Sequence, residues 1–255
     1  MLNLPKPLLG DVSAITIATP DLDRSFAFYQ QLGFRELWRT DFPFPCSQIT
    51  DDALLIMLRV DKDPYIALTY YLKDINSAMK VIEAADIAFV SKPQKTDMVK
   101  RWLFKSPDGL NISLVEFMEG FQQPGGPTML TMPQQDYFNP EKYVNKICGM
   151  FGEFCHPVAD LDISIAFWEK IGFKTISRFT SPRPWAIISD GLSIVGLHQT
   201  TEFSYPAITF FASDMKDKIS KLREAGLKDF EEKGAGNIVI TTPEKQHVFL
   251  FKMGM

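Results

Sequence analysis

All three histidines of this 255-residue chain, His156, His198 and His247, fall in its second half. Imidazole moves protons near neutral pH and ligates metals, so this one-sided placement marks where chemistry could sit. Glu153 and Cys155 stand just before His156. Carboxylate, thiol and imidazole are the groups that acid–base, nucleophilic and metal chemistry all draw on. Two constraints narrow the choice. The three cysteines, Cys46, Cys148 and Cys155, are odd in number and lack metal-type spacing, which argues for a reducing cytoplasm rather than a disulfide scaffold. Along an extended segment, side chains alternate between faces, so Glu153 and Cys155 share one face and His156 takes the other. A Cys155–His156 nucleophilic pair is therefore disfavoured, and Cys155 reads as a small buried residue.

Sliding the chain against itself by 139 residues matches fourteen of the forty positions from Asp21 to Val60 without a gap. Asp21-Leu22-Asp23 meets Asp160-Leu161-Asp162, Gly33-Phe34 meets Gly172-Phe173, and Asp51 meets Asp190. Each copy constrains the reading of the other. Positions that could hold chemistry are unequal: Glu153 faces Ala14, His198 faces Arg59 and Trp185 faces Cys46. Trp185 is either an aromatic plate lining a site or a packed rim residue. His198 either touches a ligand or flanks solvent at a strand end.

The elements that must position these residues follow one order. Ser13–Ala18 alternates β-branched and small residues, as a strand does. Asp21 or Asp23 caps a helix that stops at Gly33, a C-terminal glycine. Strands follow at Arg35–Arg39, about Ser47–Thr50 and Leu54–Arg59. A weaker copy starts at Ile66–Tyr71, with Asp74 before a helix and strands at Arg101–Phe104 and Asn111–Phe117, joined by Ser106-Pro107-Asp108-Gly109. The second half repeats this, with helices after Asp160 and Asp214 and Thr242-Pro243-Glu244-Lys245 in the corresponding turn. Strand–helix–strand–strand–strand is thus expected four times. The implied organisation is a first domain at 10–118, a Pro-, Gly- and Gln-rich linker at 119–146 and a second domain at 147–253.

Bulk properties exclude several classes. A net charge of −4 offers no basic footprint for nucleic acid. No apolar run reaches the ~18 residues that a membrane span requires, and Met1–Pro7 lacks the charged start and apolar run of a secretory leader. The expectation is a cytoplasmic protein, monomer or homodimer, with a small-molecule ligand as its partner and neither nucleic acid nor membrane.

Four such modules carrying Asp-Leu-Asp, Phe-Tyr and Leu-Gly-Phe resemble the vicinal oxygen chelate superfamily. This is the group of glyoxalase I, extradiol dioxygenases, and fosfomycin and bleomycin resistance proteins. The resemblance implies an α+β fold in which paired βαβββ modules curl a mixed sheet into a cup, with helices on the convex face and the site on the concave face. It places Ala14, Thr16, Ala67, Thr69, Glu153 and Cys155 on the cup side, and Ile15, Ile17, Leu68 and Phe154 on the helix side. Metal-using members carry His, Gln or Glu on the first and last strand of each module. Here those positions are Ala14, Ala67, Glu153 and Ala207, then about Met57, Ser113, Gly196 and Phe249. Ala, Met, Gly and Phe offer no hard donor and Ser113 a poor one, so only Glu153 survives as a candidate.

The leading expectation is a binding protein without metal or other cofactor. Its ligand, a small, partly aromatic or cationic organic molecule, would lie in the second cup among Glu153, Cys155, Trp185, His198 and His247. The first half would be a stripped scaffold. Glu153 could also be a general base, or simply a carboxylate paired with Arg178 or Arg183. The rival is a lyase, isomerase or dioxygenase with a divalent metal at Glu153 and His198, and a third possibility is a non-catalytic scaffold.

Overall fold

The computed structural model describes residues 3–117, 120–227 and 229–254. The first half contains β1 (Val12–Thr19), α1 (Leu22–Gln31), β2 (Arg35–Thr40), β3 (Cys46–Thr50), β4 (Leu55–Val60), β5 (Ile66–Leu72), α2 (Asn76–Ala84), β6 (Lys100–Lys105) and β7 (Asn111–Glu116). Its sheet runs β2-β3-β4-β1-β5-β7-β6. In each module the first strand lies parallel to the last, β1 to β4 and β5 to β7. The two first strands, β1 and β5, join antiparallel at the centre.

The second half contains β8 (Met150–Val158), α3 (Leu161–Lys170), β9 (Lys174–Phe179), β10 (Trp185–Ser189), β11 (Ile194–Gln199), β12 (Ala207–Ala212), α4 (Met215–Glu224), β13 (Phe230–Glu232), β14 (Ile238–Thr241) and β15 (His247–Lys252). Its eight-stranded sheet, β13-β14-β15-β12-β8-β11-β10-β9, repeats the plan with β8 and β12 at the centre. Modules therefore pair within each half.

Two expectations need correction. Among the described residues, the second module has two strands after its helix instead of three. Where the third was due, only a single bridge, Ser91 to Leu103, remains. Pro93 lacks the N–H that would extend the pairing. The chain instead folds into a turn in which Asp97 accepts from the Gln94 N–H and Lys100 Nζ donates to the carbonyls of residues 94 and 95. The four helix-start aspartates also differ. Asp21 and Asp160 cap, accepting from the N–H of Arg24 and from those of Asp162 and Ile163 respectively. Asp74 stands two residues before α2 and accepts from the Asn76 N–H at 3.0 Å, whereas Asp214 accepts no helix N–H and pairs with the buried Lys218 at 3.2 Å.

Side-chain alternation divides the interior into three. Ile15, Ile17 and Leu68 of the first sheet and Phe154, Ile208 and Phe210 of the second belong to one continuous buried cluster, so the helix-bearing sides share a core. Val12, Ala14, Met57 and Tyr71 form a separate cluster on the first concave face, and Cys155, Ala207 and Phe249 one on the second. The cups therefore open away from each other.

Polar ties reproduce the repeat across this core. Ser25 Oγ donates to Glu244 and Ser164 Oγ to Asp108, serine and turn carboxylate occupying matching places in the two copies. Asp190 accepts from Tyr70 Oη at 2.6 Å, and its counterpart Asp51 from Asn145 Nδ2 at 3.0 Å. Each of these aspartates also accepts two backbone N–H bonds, yet burial still raises both above the usual carboxylate range. The connecting segment is anchored as well: Phe121, Met132, Tyr143 and Asn145 are buried.

Candidate functional site

Parallel pairing of β8 with β11 sets Gly196 opposite Cys155. Antiparallel pairing with β12 sets Thr209 opposite Glu153. Alternation then delivers Glu153, Cys155, Thr209 and His198 to one concave surface. The Glu153 carboxylate is 3% exposed. Its Oε1 lies 2.7 Å from His198 Nε2, while Oε2 is buried without a hydrogen-bond partner. Across the strand pair, Thr209 Oγ1 is likewise buried and unpartnered. An unsatisfied buried oxygen costs about 1–3 kcal/mol, more when charged, so Glu153 Oε2 is left open to a donor.

Gly196 makes the seat possible. A Cβ there would fall 2.0 Å from Glu153 Oε2, so any larger residue would collide with the carboxylate. A glycine within a strand commonly marks such a close approach. His198 is held on its other side by an aromatic stack that follows the strand register. Phe179, Trp185 and His198 are successive cross-strand partners. Trp185 lies parallel to Phe179, with centroids 4.1 Å apart, and to His198, with centroids 5.3 Å apart. Phe203 meets His198 edge-on and continues to Phe249.

Of the residues singled out in the sequence, Glu153, Cys155 and His198 come together, and Trp185 backs His198. His247 shares the face but packs against Phe249 and stays outside this group. Neither arginine partners Glu153: Arg178 pairs with Asp162 and Arg183 with Glu202. His156 points into the core between the halves, 3.5 Å from Ser106 Oγ, and burial lowers its pKa to about 4. Thr209, Phe179, Phe203 and the steric role of Gly196 went unread. Alternation from Ala207 was enough to put Thr209 on the cup side; the other three needed the fold.

Glu153 is the one family position with a hard donor, and the folded chain brings two further donor side chains to it. One ligand atom each from Glu153, Cys155 and His198 lies within 4.8 Å of the others. Three protein donors with a free fourth position suit a zinc-type site. This oxygen, sulfur and nitrogen mixture is unlike the two-histidine, one-carboxylate triad of non-haem iron oxygenases. Burial, and then the Glu153 charge, raises the Cys155 pKa well above the usual thiol range, so metal binding would have to displace its proton. When bound, such an ion would act as a Lewis acid. The expectation of no cofactor is thus not supported by this trio, which joins two further donors to Glu153, itself one of the family positions.

The first cup departs from the bare scaffold expected of it: it holds a cavity of about 460 Å³. No helix among the described residues is long and apolar enough to cross a membrane.

Residues 12–114 match the family described as Glyoxalase/Bleomycin resistance protein/Dioxygenase superfamily. No curated protein matches the chain. Among solved structures, the 2,3-dioxygenase LapB from Pseudomonas sp. KL28 superposes with a TM-score of 0.61 at 14% identity, over 98% of this chain and 94% of that one. Homoprotocatechuate 2,3-dioxygenase from Arthrobacter globiformis gives 0.64 at 14% identity, over 99% and 82%. A variant of the Brevibacterium fuscum homoprotocatechuate 2,3-dioxygenase gives 0.62 at 12%, over 98% and 73%. At these identities the likeness concerns the fold.

Proposed function

We propose that this chain, whose residues 12–114 match the Glyoxalase/Bleomycin resistance protein/Dioxygenase superfamily and whose second half repeats the same sheet plan, binds a small organic molecule in the second cup. The ligand is partly aromatic, carries an ammonium or other strong donor group, and is held without metal. One observation carries this reading: the buried Glu153 carboxylate spends one oxygen on His198 and has no partner for the other. A ligand cation reaching Oε2 would complete the pair, and the ring of Phe203 beside His198 offers an aromatic face of the kind that cations and planar molecules favour. Glu153 orients the His198 imidazole, which suits the pair to take or return a proton at the ligand.

A second reading, a divalent cation on Glu153, Cys155 and His198, is favoured by the convergence of their donor atoms within 4.8 Å. Elemental analysis of the purified protein, together with calorimetric titration with phenethylamine, separates the two. The binding reading expects substoichiometric metal, with saturable phenethylamine binding that survives EDTA and weakens about tenfold in Glu153→Gln, the loss of one charge-assisted contact. Stoichiometric zinc that disappears in Glu153→Gln would overturn it in favour of the metal.

A further inference from the structure

The first cup has its own chemistry, opposite in sign to that of the second. Its cavity of about 460 Å³ is of the size that encloses a compact organic ligand. Stacked Tyr71 and Phe121, 3.9 Å between centroids, make one wall, and Trp38 stands edge-on to Phe121. The hydroxyls of Thr16 and Thr69, 2.7 Å apart, and of Ser113 lie among its lining groups. Two guanidinium groups reach it, from Arg59 and Arg101, and among the described residues no Asp or Glu lines it.

The unsatisfied groups here are donors. Trp38 Nε1 and Arg59 Nε are buried with no hydrogen-bond partner. Arg59 sits over Phe44, its Cζ 4.0 Å from the ring centroid, and forms a long ion pair with Asp61, whose carboxylate is 3.9 Å from its Nε and so beyond hydrogen-bonding reach. Arg101 spends one N–H on Tyr65 Oη. A lined apolar space whose free polar groups are an indole N–H and a guanidinium N–H calls for an acceptor, and the excess positive charge calls for an anion. We propose that the first cup is a second ligand site, for a small planar aromatic acid whose ring lies against Tyr71 and Phe121 and whose carboxylate meets Arg59 and Trp38. Its recognition elements are separate from Glu153 and His198, so this inference stands apart from the second-cup reading.

Calorimetric titration with 2-naphthoate and with the uncharged 2-naphthalenemethanol tests it. The expected result is saturable binding of the acid, at least about tenfold tighter than the alcohol, as a charge-assisted contact provides. In Arg59→Met that preference should vanish while the alcohol binds as before. Arg101→Met, with folding checked by circular dichroism, gives a second reading should Arg59→Met fail to fold, and there the preference should fall in the same direction. Equal affinity for acid and alcohol, no saturable binding of either, or loss of the acid in Glu153→Gln with retention in both arginine variants would overturn the proposal.

Discussion

At the scale of single residues, Glu153 depends on the emptiness of position 196 as much as on His198. The Cβ of an alanine there would meet Oε2 at 2.0 Å, so Gly196→Ala must either expel the carboxylate or shift β11 away from β8. Overpacking of this kind costs typically ~1–3 kcal/mol. Chemical denaturation should show that loss, and pairing the change with Glu153→Ala should recover most of it, because the colliding group is gone. Equal losses in the single and double variants would mean that the clash is not what Gly196 avoids. Much of this cluster was legible: unequal copies at positions 14 and 153, and at 59 and 198, pointed to the second cup. The parallel Phe179–Trp185–His198 stack was not, because it exists only through the register of three strands, and register is set by pairing rather than by local sequence. The donors of the first cup were hidden by a different omission. Arg59 read as a strand-end counterpart of His198, and nothing local announced that its Nε would be buried without a hydrogen-bond partner.

At the scale of elements, strands and helices were readable wherever periodicity and caps agreed, and misread where one signal stood alone. Asp160 accepts two backbone N–H bonds at the start of α3, whereas Asp74 accepts one, from Asn76, at the start of α2. Replacing an N-cap aspartate by alanine costs typically ~1 kcal/mol. Asp160→Ala should therefore lower the unfolding free energy by about that amount and Asp74→Ala, which loses one such bond instead of two, by less, both read by urea denaturation. The identical motif Asp-Leu-Asp at Asp21 and Asp160 shows why the first copy of each half was the easier one to place. The weaker copies have only an aspartate and an apolar stripe. In the second module that stripe gives way to Pro93 and a turn held by Asp97 and Lys100, and the expected strand is reduced to one bridge.

At the scale of the whole molecule, the repeat foretold two similar halves but not the way they meet. Back-to-back packing follows from alternation only once both sheets exist: each buries its helix side against the other and turns its cup outward. The turns at Asp108 and Glu244, which the sequence showed as matching loops, become latches across the shared core. His156 lies in the same region, buried and 3.5 Å from Ser106, with its pKa lowered to about 4 from 6.5. Between those two values the unfolded chain binds a proton that the folded chain refuses, so stability is full above about pH 6.5 and is lost as pH falls toward 4. The loss attributable to this one group is about 3 kcal/mol. Asp51 and Asp190 act in the opposite sense, since burial raises their pKa values and protonation relieves the cost of their charge. A bare melting curve against pH would therefore mix the two effects, and comparison with a variant isolates the histidine. In His156→Leu the fall in unfolding free energy between pH 7 and pH 4.5 should shrink by roughly 2–3 kcal/mol relative to the parent chain. An unchanged slope would mean that the imidazole finds water or a partner on protonation, and that the core between the halves is less closed than its packing implies.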